Sequence, residues 1–329
     1  MKRIVKKKYK RKKLKESFKR FLIYTIAILA IIIYGSVESY KIYKLYKYEA
    51  SYEYKLQQIG YSLDQTKTLE NKLTDSELNQ VLNLEYDEQI YNIVNEKYFL
   101  NTKFYEYIEY LTMHPTETSK NIVAITNVNA NKGWYSSIYK TDIDFGYGML
   151  VNKFYGLEKD YIRTDMENIS LTYSYNGNKA AQIVVENYYK MHEDINKELG
   201  VYLMVNSSYR SYEDQETVYE TYKKKNLKKA DSIAARPGHS EHQTGLAIDL
   251  TSLEHPYEKD FKESEEYEWL KENCHKYGFI LRYPIGKENI TGYQNESWHF
   301  RYVGKEIAKI IYENNITLDE YHAYYILNK

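Results

Sequence analysis

Two segments of this 329-residue chain carry side chains that can hold a divalent metal ion. The first reads SEHQTGLAID and contains His242 and Asp249, and the second reads ESWHFR and contains His299. Imidazole and carboxylate groups both suit zinc, and three protein ligands leave one coordination position open, as catalytic zinc requires. A His and an Asp seven residues apart are a weak signal alone. With His299 added, the pattern indicates a catalytic metal centre.

Two further residues have the chemistry that such a centre needs. Glu296 precedes His299 by three residues and is available as a general base that takes a proton from the attacking water. Arg210 follows a predicted strand in the segment SSYRS, where a fixed guanidinium can stabilise a developing oxyanion or bind a carboxylate bidentately. These residues together favour a metal-assisted hydrolase.

The same segments resemble the metallopeptidase family of the vancomycin-resistance (VanY-like) D,D-carboxypeptidases. The family signatures are a Ser-x-His-x-x-Gly-x-Ala-x-Asp run, a later Glu-x-Trp-His and an upstream Tyr-Arg-Ser, and all three occur here in that order. The likeness extends from about residue 148 to residue 314. The resemblance implies a small antiparallel sheet flanked by helices, the D,D-peptidase and hedgehog-like type of zinc fold.

The resemblance also implies roles for individual residues. One zinc ion is expected on His242, Asp249 and His299, with Glu296 as the base and Arg210 at the scissile carbonyl. The expected substrate-binding residues are Ser240, Gln215, Tyr209 and Trp298.

The activity expected from the resemblance is removal of the terminal D-alanine from peptidoglycan stem peptides that end in D-Ala-D-Ala. An L,D-carboxypeptidase or an endopeptidase would use the same metal ligands, so both stay open as alternatives. A cell-wall-binding module without turnover would require loss of a ligand or the base, and all four residues are present.

The N-terminal region predicts a membrane anchor. The first twenty residues contain twelve Lys or Arg residues and a single acid, and residues 21–37 contain no charge. About 17–20 apolar residues are enough to cross a bilayer, and preceding basic residues place the N-terminus in the cytoplasm and the remainder outside. A cleaved signal peptide is the alternative, but the long basic leader and the poor cleavage site at residues 37–39 favour a single-pass anchor.

Composition limits the remaining possibilities. The formal net charge is zero, so nothing in the whole chain points to nucleic acid. The single cysteine, Cys274, lies on the apolar face of a predicted helix and is expected in the core. His239 is expected not to be a metal ligand, and Arg282 and Arg301 are interpreted as possible ion-pair partners without an assigned role.

The pattern of elements predicts an α+β domain after the anchor. Strands are expected at 121–128, 201–206, 246–250, 279–282 and 298–302, and helices at 178–199, 212–225 and 264–277 with two more at the C-terminus. Between residues 62 and 114 the spacing predicts three or four short helices that space or orient the following domain. The expected organisation is a basic cytoplasmic tail (1–20), a transmembrane helix (21–37), a stalk (38–60), a small helical region (61–116) and a zinc D,D-carboxypeptidase domain (117–329).

Overall fold

The computed structural model describes residues 2–327, and its chain divides into two compact units, Met1–Asn95 and Glu96–Lys329. Residues 1, 328 and 329, which end two of the predicted ranges, lie outside the described residues. The first unit begins with α1, a continuous helix over Lys2–Glu49 that contains the whole predicted span 21–37. Its apolar side chains are exposed, and by length and composition α1 could cross a membrane, although a signal sequence has the same properties.

Short helices complete the first unit and start the second. They are α2 (Tyr52–Ile59), α3 (Leu63–Lys72), α4 (Asp75–Leu82) and α5 (Glu88–Asn95), followed in the second unit by α6 (Phe104–Met113). Capping boxes form at Ser62 and Thr74, where each side chain accepts from the backbone N–H three residues later and the side chain of that residue accepts from the capping residue's N–H. The prediction of short helices between residues 62 and 114 is confirmed.

One predicted strand is wrong. Residues 121–127 of the predicted strand 121–128 lie in helix α7 (Ser119–Asn127), which Thr118 caps by accepting from the N–H of Asn121. Residues 122–127 are buried on every side of this helix, where Ile125 packs against Ile290. A short apolar run that is buried all round lacks the helical period, so its β-branched content alone suggested a strand.

A four-stranded antiparallel sheet forms the centre of the second unit, and the α+β prediction is confirmed. Its strands lie in the order β5-β6-β8-β7. The small pairs are β1 (Tyr139–Lys140) with β2 (Tyr155–Gly156) and β3 (Met166–Asn168) with β4 (Lys179–Ala181), and the central strands are β5 (Leu203–Ser207), β6 (Ala247–Ser252), β7 (Phe279–Tyr283) and β8 (Glu296–Tyr302).

Eight helices accompany this sheet. They are α8 (Gln182–Leu199), α9 (Tyr212–Lys225), α10 (Leu227–Ile233), α11 (Glu258–Phe261), α12 (Glu265–Asn273), α13 (Glu288–Thr291), α14 (Lys305–Asn314) and α15 (Leu318–Tyr321), with a π-helical turn at His322–Ile326. Gly200 and Gly278 end their helices in the left-handed region as the sequence predicts.

The two faces of the sheet have opposite chemistry because side chains alternate along a strand. Ile248 and Leu250 of β6 and Phe300 of β8 belong to the apolar core that α8 completes. Their neighbours Asp249 and His299 point to the other face. The apolar face therefore fixes the sheet, and the polar face is free to carry a site.

Charged side chains are buried on that polar face. Arg282 of β7 is fully buried and bonds both Glu241, at 2.7 Å, and Asp319 of α15, at 2.6 Å. Arg301 of β8 is also fully buried and bonds Glu241 at 2.9 Å. These contacts join the sheet to the C-terminal helix through paired charges, which water does not screen there.

Replacing Arg282 with Met is expected to lower the free energy of unfolding by about 3–5 kcal/mol, because Glu241 loses one cation and Asp319 stays buried without its own. Urea denaturation followed by tryptophan fluorescence measures the loss. The control is Lys309→Met, which removes the exposed Lys309–Glu313 pair and should cost less than about 1 kcal/mol. Equal effects of the two variants would contradict a stabilising role for the buried charges.

Candidate metal centre

Three predicted ligands converge at one point on the polar face of the sheet. Asp249 and His299 are directly paired residues on β6 and β8, and His242 lies on the 3-10 turn Glu241–Thr244 that precedes β6. Asp249 Oδ1 is 3.1 Å from His299 Nδ1, and Asp249 Oδ2 is 3.3 Å from His242 Nε2. One donor atom from each residue lies within 4.8 Å of the other two.

Hydrogen bonds on the far side of each imidazole orient the free ring nitrogens toward Asp249. His242 Nδ1 donates to the carbonyl oxygen of Ser208 at 2.6 Å, which leaves Nε2 as an acceptor. His299 Nε2 donates a hydrogen bond to the Glu241 carboxylate at 3.2 Å, and Nδ1 therefore faces Asp249. Histidines that ligate metals are held in this way by their second nitrogen. Two imidazole nitrogens and a carboxylate with these orientations fit a zinc ion.

Glycine is required where the turn enters β6. Gly245 ends the turn with φ of +67°, and a Cβ there would lie 2.8 Å from the sulfur of Met166. A side chain at this position would therefore strain the backbone of the turn that carries His242.

Glu241 is a site residue that the sequence analysis missed. Its carboxylate is fully buried and contacts Arg282, Arg301 and His299. Burial alone would raise its pKa, but the two arginines outweigh burial and hold the pKa well below its usual range. The available signal was an arginine within each of two predicted strands, since buried arginines require a buried carboxylate.

The pKa values of the two histidines are shifted in opposite directions. Burial lowers the pKa of His242 despite the nearby carboxylate of Asp249. Burial also disfavours the charged form of His299, but hydrogen bonds to Asp249 and Glu241 outweigh it and raise the pKa of His299 to about 9. Asp249 is buried as well, yet the two histidines keep its pKa below the usual range. At neutral pH the three side chains therefore carry one proton that a metal ion must displace.

An irregularity in β8 brings Glu296 to the same cavity. The register shifts between the pairs Leu281–Phe300 and Tyr283–Glu296. In this interval β8 contains two more residues than β7. Bulges of this kind redirect side chains next to active sites. Glu296 Oε2 consequently lies 3.8 Å from His299 Nδ1. Burial, with contributions from Asp249 and other carboxylates, raises the pKa of Glu296 to about 8.

Arg210 is held beside the centre by its neighbours. Its backbone N–H donates to the carbonyl oxygen of His242, and its guanidinium donates to Gln215 at 2.7 Å and to Ser207 at 3.0 Å. Gln215 is buried and donates its own amide to the carbonyl oxygen of Ala235. Because both ends of the Gln215 amide are engaged, we expect it to act by orienting Arg210.

These side chains line a cavity of about 400 Å³. Ser240 and Trp298 line it together with Arg210, Gln215, Glu296 and the three candidate ligands, and residues of α9 and α10 form an apolar wall. Tyr209 is not among the lining residues, and its ring lies against Lys179. Substrate binding by Tyr209 stays a prediction.

Two other predictions concern residues outside the centre. Cys274 is buried in the core, and burial raises the pKa of its thiol to about 12, as expected for a packing residue. His239 Nδ1 contacts the carbonyl oxygen of Asn152, and among the described residues His239 is not part of the metal-binding group. The prediction that Cys274 belongs to the core is confirmed, and the expectation for His239 stays a prediction.

Comparison with known proteins agrees with this geometry. Residues 156–305 match the family model described as VanY, D-alanyl-D-alanine carboxypeptidase. A putative carboxypeptidase of Bacillus subtilis, YodJ, is 33% identical over 263 residues, which cover 78% of this chain and 83% of the relative. A D-alanyl-D-alanine carboxypeptidase of Enterococcus faecium is 29% identical over 242 residues, covering 71% of this chain and 74% of the relative.

A solved structure of the LD-carboxypeptidase LdcB is also similar. It is 34% identical with a TM-score of 0.54, and the match covers 57% of this chain and 90% of that structure. The match to the family model and the extended identity to a carboxypeptidase relative show that this chain belongs to the VanY family of D-alanyl-D-alanine carboxypeptidases.

Proposed function

We propose that this protein is a zinc-dependent D,D-carboxypeptidase that removes the terminal D-alanine from peptidoglycan stem pentapeptides. The observation that carries the proposal is the convergence of His242, Asp249 and His299 beside Glu296 in one cavity. Three ligands and an adjacent carboxylate are the groups that metal-assisted peptide hydrolysis requires. The family membership supports the reaction class.

Each side chain has a distinct task in this proposal. A zinc ion at the three ligands would supply Lewis-acid polarisation of the scissile carbonyl and a more acidic water. Glu296 accepts a proton from the attacking water and delivers it to the leaving amine. Arg210 donates to the carbonyl oxygen as negative charge develops on it. Ser240 and Trp298, which line the cavity, contact the peptide.

Relatives support two substrate classes. Proteins named D-alanyl-D-alanine carboxypeptidase favour cleavage between two D-residues. The similarity to the LD-carboxypeptidase LdcB favours a second candidate, removal of D-alanine that follows an L-residue. The metal ligands and the base would be the same in both reactions, so the difference must lie in the residues that line the cavity.

The N-terminal helix supports a location in the cell membrane. Residues 21–37 cross the bilayer once, the twelve basic residues before them stay in the cytoplasm, and the catalytic residues face outward. Residues 38–60 then form the stalk, 61–116 the helical region and 117–329 the catalytic domain. This arrangement exposes the metal centre to the cell wall.

The first test supplies the purified full chain, in detergent and loaded with zinc, with two peptides. One is the pentapeptide L-Ala-D-Glu-L-Lys-D-Ala-D-Ala, and the other is the tetrapeptide that lacks the last alanine. We expect mass spectrometry to detect loss of one alanine from the pentapeptide and inhibition by a chelator. Cleavage of the tetrapeptide instead would establish the L,D reaction. Absence of cleavage in zinc-loaded protein would refute both.

Replacing Glu296 with Gln should lower kcat by at least about a hundredfold, because a neutral amide cannot accept a proton from the attacking water. Zinc content, measured by atomic emission, should stay at one ion per chain, since Glu296 is not a ligand in this proposal. A variant that loses zinc together with activity would assign Glu296 to metal binding instead.

Zinc affinity should rise with pH because His299 must lose its proton to bind. With a pKa raised to about 9, His299 is protonated at neutral pH, whereas the lowered pKa of His242 leaves that ring neutral. Release of one proton gives an increase of about tenfold per pH unit between pH 6.5 and 8.5. Competition with a fluorescent chelator of known pH dependence measures this slope. A flat profile would mean that His299 is already neutral.

A further inference from the structure

One carboxylate in the catalytic cavity has no task in the proposed reaction. Four acidic residues line this cavity: Glu241, Asp249, Glu296 and Glu258. The first three are the arginine-bound carboxylate, the candidate ligand and the proposed base. Within residues 2–327 the structure gives the Glu258 carboxylate no hydrogen bond and no ion pair.

The backbone holds Glu258 in place even though its side chain is exposed. Glu258 begins the short helix α11, whose last residue, Phe261, is fully buried in the core. The loop before α11 is tied down by Glu266, which accepts from Ser252 Oγ and contacts His255 Nδ1, each at 2.6 Å. Anchors on both sides therefore keep the carboxylate at the edge of the cavity.

The surroundings of Glu258 suit a positive ligand. Helix α11 packs against β6 and β8, the strands that carry the metal ligands and Glu296. Among the described residues that line the cavity, Arg210 is the only Lys or Arg, and Gln215 and Ser207 already bind it.

A fourth metal ligand is a weaker assignment for Glu258. Among the described residues, the group whose donor atoms lie within 4.8 Å of one another contains only His242, Asp249 and His299. A positively charged group of the substrate is the alternative to a metal ion at this position. A primary ammonium has three donors and forms charge-assisted hydrogen bonds with a carboxylate.

We propose that Glu258 is a specificity residue that binds the side-chain ammonium of a diamino residue next to the D-alanines of the substrate. This inference rests on the proposed function, because a stem peptide carries such a residue directly before its D-alanine residues. Glu258 would then select peptides whose ammonium is free over peptides in which it is acylated, as it is in crosslinked wall.

The test compares two pentapeptides that differ only at one nitrogen, one with lysine and one with Nε-acetyl-lysine at the third position. Binding is measured by calorimetry to the full chain in detergent, loaded with zinc and carrying Glu296→Gln so that turnover cannot interfere. This Glu296→Gln protein, the parent in the comparison, should bind the lysine peptide up to about fivefold more tightly than the acetyl-lysine peptide, as a partly solvated ion pair allows. Adding Glu258→Gln should reduce the ratio of the two dissociation constants to about one.

The matched control is Glu263→Gln, an exposed carboxylate just after α11 that does not line the cavity, and it should keep the parent ratio. A ratio of one in the parent, a ratio unchanged by Glu258→Gln, or binding of neither peptide would overturn the inference.

Kinetic measurements with Glu296 intact distinguish failure of this inference from failure of the proposed function. Cleavage of both peptides with equal KM would support the carboxypeptidase and overturn the role of Glu258. Charge-selective binding without cleavage would support the role of Glu258 and overturn the carboxypeptidase.

Discussion

The buried carboxylate of Glu241 is the contact on which the metal centre depends. It accepts from Arg282 and Arg301, both fully buried, and from the ring of His299. Charges removed from water must be paired and hydrogen-bonded to be tolerated, so the pairing with Glu241 restricts how strands β7 and β8 and the turn before β6 can pack. The arrangement that satisfies the charges is the one that directs the Nδ1 atom of His299 toward Asp249. Stability and ligand orientation therefore have the same cause.

Local backbone irregularities convert this rigid sheet into a site. A regular strand would point Glu296 and His299 to opposite faces, since they are three residues apart. The register shift between β7 and β8 removes that conflict and brings both to the cavity. A second shift, in β5 between Val205 and Ser207, lies where the chain leaves the sheet for Arg210. Both irregularities lie at strand ends that line the cavity.

Much of this could be predicted from the sequence because the relevant signals are local. The three ligands and Glu296 lie in two short motifs, and the helix from Tyr212 to Lys225 has clear start and end signals. Glu241 was missed because its partners are 41 and 60 residues away in sequence. The helix over 119–127 was missed for a related reason, since burial on all sides hides the helical period that would distinguish it from a strand.

In the proposed function, chemistry and specificity are carried by different parts of this fold. The candidate metal ligands lie on central strands and on a turn fixed by buried charges, where a change in side chain would disturb packing and charge pairing together. The cavity walls come from α9, α10 and α11, which are more exposed and contribute fewer core residues. Substitutions in these walls can alter the bound peptide without moving the ligands. A D,D- and an L,D-carboxypeptidase can therefore share one centre, and wall residues such as Glu258 are where their difference has to be sought.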